Sequence, residues 1–164
     1  GRLVVDKNIV LAIASDLSGF PLKKALTEHL RQRKYTILDF GIDSEEAPKP
    51  YFEQAPKVAR AVLSGEAEKG ILICGTGQGM AIVANKFKGI YACVADSVFS
   101  GERAKIINNA NVLTLGGWIT APFLGIEIVE AWLAMDFAKK MEFKKEFLAN
   151  AFNQVKLIEE ENFK

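Results

Sequence analysis

The chain has 164 residues, 49% of them hydrophobic, and a formal net charge of +1. This length favours a single domain with a full hydrophobic core, and the balanced charge gives no reason to expect nucleic acid or an anionic membrane as a partner. No apolar run approaches the ~20 residues of a membrane span, the first residues lack the layout of a secretory signal, and two cysteines are too few for a disulfide framework. We therefore expect a cytoplasmic protein that binds a small molecule or another protein.

Strand and helix patterns alternate over the first 140 residues. An almost entirely apolar run over residues 8–14 predicts a strand that is buried on both faces. Leu22, Leu26 and Leu30 follow at helical spacing and predict an amphipathic helix. The alternation continues with predicted strands at 35–40, 70–74, 90–94 and 112–115 and predicted helices at 52–62, 80–86, 100–107 and 122–135. This order predicts an α/β domain with an open, mainly parallel five-stranded sheet, helices on both faces, and ligands beyond the carboxyl ends of the strands.

We assign residues 1–140 to this domain and residues 141–164 to a C-terminal extension. Its apolar residues recur at helical spacing along one stripe: Phe143, Phe147, Ala151, Val155 and Ile158. Because one compact domain is complete without the extension, we expect the stripe to pack on a partner subunit. Packing on the chain's own core is the alternative.

The most informative segment is residues 70–80, GILICGTGQGM, in which an apolar run ends in Cys74 and three glycines follow at alternate positions. Gly75, Gly77 and Gly79 let backbone N–H groups approach a ligand, and a helix that begins nearby favours negative charge on the ligand and on the thiol. A thiolate beside such donors can remove a proton from carbon and stabilise the oxyanion that forms. The pattern thus predicts an anion-binding loop with Cys74 as a base.

The residues of this segment have three other interpretations. A lone cysteine at a strand end is often an inert, buried hydrophobic residue. A dinucleotide-binding loop also follows a strand, and Asp96 lies at a suitable distance, but Met80 is too large for the glycine or alanine that closes such a loop. A P-loop is excluded because no Gly-Lys-Ser/Thr follows the turn.

Several polar residues near the predicted strand ends are further candidates, and each has a structural alternative. Asp16 can bind a ligand or cap the helix after it, and Thr76 can donate its hydroxyl to a ligand or only stabilise the loop. Residues 108–111, NNAN, are typical of a turn. The single histidine, His29, fits an ordinary packing role within a helix, and one histidine with two separated cysteines cannot form a usual transition-metal site. We expect neither a metal nor a cofactor.

Three segments resemble the family of type B ribose-5-phosphate isomerases and galactose-6-phosphate isomerases. They are residues 73–80 (ICGTGQGM), 84–90 (ANKFKGI) and 109–116 (NANVLTLG). Shorter matches at residues 15–20, 39–41 and 64–67 fit the same family, and the likeness runs from about residue 8 to residue 137. The cysteine loop with its downstream Asn85 and Lys86 is the specific part of this resemblance.

The resemblance implies a three-layer, Rossmann-like fold and a dimer with active sites built across the interface. It also implies metal-free interconversion of aldose and ketose phosphates. Cys74 matches the base that moves a proton between C1 and C2 through an enediolate, and Thr76 matches a residue that holds the enediolate. The family's anion hole corresponds to Gly75, Gly77, Gln78 and Gly79, and its substrate contacts correspond to Asp16, Tyr51, Asn108 and Lys145.

The chain departs from the family at positions of acid catalysis and phosphate binding. Leu17 and Ile107 stand where the resemblance places two histidines, one of which opens the furanose ring, and neither side chain can transfer a proton. Three phosphate-binding arginines correspond to Trp118, Met141 and Lys145, which leaves one cation of three. We therefore expect an open-chain or readily opening sugar to be preferred and ribose 5-phosphate to be a poor substrate.

The sequence is thus interpreted as an aldose–ketose isomerase for a pentose or hexose phosphate, acting through Cys74. The alternative is a non-catalytic or partner-dependent sugar-binding subunit of the same family, in a homo-oligomer or with a related subunit.

Overall fold

The computed structural model describes residues 9–164, in which five strands and six helices alternate. The strands are β1 (Val10–Ser15), β2 (Thr36–Asp39), β3 (Lys69–Cys74), β4 (Ala92–Val94) and β5 (Val112–Gly116). The helices are α1 (Phe20–Gln32), α2 (Tyr51–Ser64), α3 (Gln78–Ala84), α4 (Val98–Ile106), α5 (Pro122–Leu133) and α6 (Lys145–Asn162), with a 3-10 turn at Glu142–Lys144. The predicted first strand is confirmed from Val10 onward, and its residue 8 lies outside the described residues.

The strands form one sheet in the order β2-β1-β3-β5-β4, and every neighbouring pair is parallel. The predicted α/β fold is confirmed, and the sheet is parallel throughout. Since parallel strands end at one edge of a sheet, the loops after β1, β3 and β5 meet there. No helix within residues 9–164 is long and apolar enough to cross a lipid bilayer.

Successive residues of the central strands face opposite layers, which gives the sheet a hydrophobic core on each side. On one side Leu11, Ile71 and Leu113 pack with residues of α1 and α5, among them Leu26 and Trp132. The residues that alternate with them pack against α2 and α3: Ala12, Leu72 and Cys74 of the strands with Ala55, Val58 and Met80 of the helices. Cys74 therefore belongs to the layer that α2 and α3 cover.

Most boundaries differ from the predicted ones by one or two residues, and two of these differences have a local reason. Helix α3 begins at Gln78 instead of residue 80, because Gly77 takes a left-handed φ of 82° and turns the chain directly into the helix. Strand β4 begins at Ala92 instead of residue 90. The Ile90 N–H is used in a turn to the Phe87 carbonyl.

The C-terminal extension is helical, as predicted, and part of α6 packs on its own chain beside β4. Leu148 is the buried residue of this helix. The Phe152 ring meets the Tyr91 ring edge-on with centroids 5.0 Å apart. The Glu159 carboxylate accepts hydrogen bonds from the Tyr91 hydroxyl at 2.8 Å and from the Gly89 N–H at 3.0 Å.

Most of the predicted apolar stripe is not covered by these contacts. Phe143 is 80% exposed, Phe147 67% and Ile158 60%. Packing on the same chain accounts for one side of α6, and contact of the exposed stripe with a partner subunit stays a prediction.

Candidate active site

Cys74 is the last residue of β3 and lies at the edge of the sheet where ligands are expected. Its side chain is 5% exposed and packs in the layer of α2 and α3. The Gly77 N–H donates to Sγ at 3.2 Å. The thiol is therefore held in one place with a backbone donor directed at it, as a proton-transferring base requires.

The loop after Cys74 is fixed by backbone conformation and by a buried side chain. Gly77 requires glycine, because its φ is 82° and an added Cβ would lie 3.0 Å from the backbone carbon of Leu115. The Thr114 hydroxyl donates to the Gly77 carbonyl at 2.8 Å, and Thr114 is fully buried in β5. The loop that carries the predicted anion hole is thus tied to the centre of the sheet.

Asp16 follows β1 and lies beside Cys74, since Ser15 pairs with Ile73 in the parallel register and the Asp16 N–H donates to the Ile73 carbonyl at 3.3 Å. One carboxylate oxygen accepts from the Gly19 N–H at 3.0 Å. Burial raises the pKa of Asp16 above its usual value, against the lowering effect of the Gly19 and Ser18 N–H groups. The carboxylate bonds to the N-cap residue Gly19 and not to an N–H inside α1, which has no side-chain cap, so Asp16 closes the turn after β1 on the strand next to Cys74.

The remaining loop residues and Tyr51 complete this cluster. Thr76 is partly exposed, and its hydroxyl oxygen accepts from the N–H of the exposed Gln78 at 3.3 Å. The Tyr51 ring, at the start of α2, lies against Gly79, where an added Cβ would come within 2.8 Å of it. The first N–H groups of α3 have no acceptor within the helix. The N–H groups of Gly77 and Gln78 at this end donate to Cys74 Sγ and to the Thr76 hydroxyl instead.

Asn108 and Lys145 do not join the cluster within one chain. Asn108 follows α4 and precedes β5, so it lies at the amino edge of the sheet, opposite Cys74. Lys145 begins α6 beyond β4 and lines a cavity of about 660 Å³ formed by residues 142–147. Strands β5 and β4 lie between Lys145 and β3, the strand that ends in Cys74.

The positions that the resemblance assigns to histidine are apolar and lie far apart. Leu17 is 46% exposed next to Asp16, whereas Ile107 lines a cavity of about 650 Å³ beside β4 with Cys93 and Asn108. The single histidine of the chain, His29, lies near the end of α1 with Nε2 2.9 Å from the Glu130 carboxylate. No imidazole therefore lies at the Cys74 loop.

Sequence reasoning missed two groups that shape this site. Thr114 carries no signal beyond a hydroxyl in an apolar strand, because its partner is 37 residues away. The sequence marks Trp118 only as the replacement of an arginine, whereas in the structure its backbone N–H donates to the Gly75 carbonyl at 3.0 Å and its ring lies on Gly75. Across the described part of the chain, no three or more histidine, cysteine, aspartate or glutamate side chains are grouped so that they could hold a metal ion.

A buried thiol, an amide-rich loop and a carboxyl at the carboxyl edge of a parallel sheet define an α/β enzyme site suited to proton transfer beside an oxyanion. The family model described as Ribose/Galactose Isomerase matches residues 11–148. The chain belongs to this family of sugar-phosphate isomerases, as its resemblance predicted, and it is an isomerase.

Curated relatives span most of the chain. A 4-deoxy-4-sulfo-D-erythrose isomerase of Clostridium sp. (strain MSTE9) is 48% identical over 149 residues, which are 90% of this chain and 94% of the relative. A D-erythrulose-4-phosphate isomerase of Pectobacterium atrosepticum is 39% identical over 127 residues, 77% of this chain and 84% of the relative.

A solved structure has the same fold over nearly its whole length. The ribose-5-phosphate isomerase B of Clostridium thermocellum superimposes with a TM-score of 0.86 at 35% identity, covering 93% of this chain and 99% of that one. The corresponding Mycoplasma genitalium enzyme, solved with bound ribulose-5-phosphate, has a TM-score of 0.84 at 32% identity and covers 93% and 97%.

Proposed function

We propose that this chain interconverts an aldose and a ketose of four carbons that carry an anionic group on C4, with 4-deoxy-4-sulfo-D-erythrose as the first candidate substrate. The observation that supports this most directly is the lack of an imidazole at the Cys74 loop, since the one histidine of the chain is paired with Glu130. Side chains that titrate near neutral pH are the usual catalysts of ring opening.

Sugar chemistry connects this lack to the length of the substrate. A furanose ring closes through the hydroxyl on C4, and a sugar whose C4 carries a sulfonate or a phosphate ester has no free hydroxyl there. Such a four-carbon aldose stays open and needs no acid to open it. The replacement of two histidines by Leu17 and Ile107 therefore does not slow the reaction of this substrate. For this reason we propose a four-carbon sugar in place of the pentose or hexose phosphate that the sequence predicts.

Two relatives point to the same substrate class. The Clostridium relative is named for a sulfonated tetrose and the Pectobacterium relative for a tetrulose phosphate, and the first is 48% identical to this chain over 90% of its length. A sulfonate is a monoanion at neutral pH, so it needs fewer cations than a phosphate. One lysine in place of three arginines is compatible with that charge.

The proposed reaction moves one proton between carbons and keeps the atoms and electrons balanced. The Cys74 thiolate removes the proton from C2 of the aldose, which leaves an enediolate. The Thr76 hydroxyl and the N–H groups of Gly75, Gly77, Gln78 and Gly79 stabilise the oxyanion in this proposal. The Gly77 and Gln78 N–H groups exchange their present acceptors, Cys74 Sγ and the Thr76 hydroxyl, for the substrate oxygen. The Cys74 thiol then returns the proton to C1 while the hydroxyl proton passes between O2 and O1, which yields the ketose.

Substrate binding in this proposal needs two copies of the chain. Asp16 and Tyr51 lie next to the loop and hold substrate hydroxyls within one chain. Asn108 and Lys145, at the opposite edge and outer side of the sheet, reach a substrate only in the site of a second copy. We therefore propose that the protein is a homodimer. We also propose that it is cytoplasmic, and its two free thiols, Cys74 and Cys93, support this location.

The test is a substrate panel with the purified chain. It compares 4-deoxy-4-sulfo-D-erythrose and D-erythrose 4-phosphate with D-ribose 5-phosphate, with product quantified for each. We expect kcat/KM for a four-carbon substrate to exceed that for ribose 5-phosphate by ~10²-fold or more, the usual contribution of acid catalysis. A kcat/KM for ribose 5-phosphate of ~10⁴ M⁻¹s⁻¹ or more, equal to that of the tetroses, would overturn the proposal. Inactivity on every substrate unless a related chain is added would support the partner-dependent alternative.

A further inference from the structure

We infer that Trp118 is a specificity-determining residue that limits the length of the sugar lying over the Cys74 loop. The inference rests on the proposed function, because it explains how this site selects a four-carbon chain. Trp118 lies in the turn after β5, and nothing in its local sequence pattern predicts contact with the loop.

The backbone of Trp118 is fixed to the loop by two hydrogen bonds. The Gly117 N–H donates to the Cys74 carbonyl at 2.7 Å, and the Trp118 N–H donates to the Gly75 carbonyl at 3.0 Å. The same turn is closed by the Thr120 N–H, which donates to the Gly116 carbonyl at 2.9 Å. The Cα of Trp118 therefore has a defined position relative to the proposed base.

The indole ring lies directly on the loop. A Cβ added to Gly75 would lie 2.7–2.9 Å from three atoms of the six-membered ring, closer than van der Waals contact permits. At the other end of the loop, a Cβ added to Gly79 would lie 2.8–3.0 Å from the Tyr51 ring. One aromatic ring thus lies at each end of the loop. Because Gly75 and Gly79 are four positions apart, their Cα atoms are separated by at most about 14 Å even in an extended chain.

The exposure of Trp118 argues against a purely structural role. It is 75% exposed, although tryptophan is among the side chains that gain most from burial. Because this exposed ring lies on the loop after Cys74, it is in a position to contact a substrate bound there. With C1 and C2 of the sugar at Cys74 and its enediolate on the loop amides, the remaining carbons must fit between the rings.

Chain length can be tested separately from ring opening by using ketose substrates. D-erythrulose 4-phosphate and D-ribulose 5-phosphate are both open-chain. In ribulose 5-phosphate the phosphate occupies the C5 hydroxyl through which a furanose would close, and a four-carbon 2-ketose has no C5 hydroxyl at all. The ratio of kcat/KM for the five-carbon to the four-carbon ketose is measured for the wild type, for Trp118→Ala and for Phe123→Ala. Phe123 is a matched control, because it is an aromatic residue that is 80% exposed and belongs to α5.

We expect Trp118→Ala to raise the ratio by ~10-fold or more, the range in which pockets discriminate by one carbon, and Phe123→Ala to leave it within about twofold. An unchanged ratio in an active Trp118→Ala enzyme would overturn the inference while leaving the proposed function intact. A wild type that prefers ribulose 5-phosphate would instead overturn the proposed function, and the inference with it.

A variant with too little turnover is tested by binding. Calorimetry then compares the affinity of the two ketoses for Cys74→Ala and for Cys74→Ala/Trp118→Ala, neither of which converts them. The relative affinity for ribulose 5-phosphate should rise by ~10-fold in the double variant. Equal relative affinities in the two proteins would reject a role of Trp118 in length selection.

Discussion

The loop after β3 and the outer side of β4 are built by opposite means. Around Cys74 the backbone is buried, and hydrogen bonds from Gly77, Gly117 and Trp118 hold it. Beyond β4 large side chains are exposed, with Phe143 at 80% and Phe147 at 67%, and Leu148 is the buried residue of α6. The first region is complete enough to position reacting atoms, whereas the second presents surface that another copy of the chain can use.

This difference predicts that the largest loss of activity comes from the buried loop. Cys74→Ala should lower kcat/KM by ~10³-fold or more on the true substrate, because a general base contributes ~10²–10⁴-fold. Alanine fits the buried position, so the free energy of unfolding should change little. Cys93→Ala is the matched control and should keep near-full turnover. Near-full turnover of Cys74→Ala would show that the base is another group.

The separation of Asn108 from Cys74 predicts complementation between two defective variants. Cys74→Ala and Asn108→Ala should each be poorly active alone and form dimers. After mixing and exchange of subunits, activity should return to about a quarter of wild type, because half of the dimers are mixed and each of these has one intact site. Activity that stays at the average of the two variants, or a strictly monomeric mass at micromolar concentration, would reject sites shared between chains.

A smaller effect is expected from the anchor of the loop. Thr114→Val keeps the shape of the side chain but removes the donor to the buried Gly77 carbonyl, which should lower the free energy of unfolding by ~1–3 kcal/mol. Urea denaturation measures this, with Thr36→Val on the exposed side of β2 as the control. A loss no larger than that of the control would show that the loop holds its position without Thr114.

The smallest effect concerns Lys69, at the start of β3 and far from the loop. Burial, and then the charge of Lys105, lower its pKa from 10.5 to about 8. Between these values the unfolded chain binds more protons, so the free energy of unfolding should rise with pH from about 8 to about 10.5 through this group. Lys69→Met should remove that rise in denaturation curves at pH 7.5 and 9.5, and the exposed Lys86→Met should retain it. An identical pH dependence in both variants would contradict the assignment.

Much of the fold follows from local pattern in the sequence. Alternating helical and strand periods predict all five strands, and burial on both faces of strands such as β1 predicts a parallel sheet, because only a sheet covered on two sides buries every residue of a strand. Cys74 and its three glycines also define the loop locally, since they are consecutive in the chain. The predicted helix of residues 141–164 is present for the same reason.

The surroundings of the loop depend on which strands are neighbours in the sheet. Because β5 lies between β3 and β4, Thr114 and Trp118 meet a loop about 40 residues earlier in the chain, while Asn108 lies at the opposite edge of the sheet. Periodicity describes each element alone and holds no information on that order. Local patterns therefore predict the elements and the cysteine–glycine loop, whereas the packing of distant strands places Thr114 and Trp118 against that loop and Asn108 away from it.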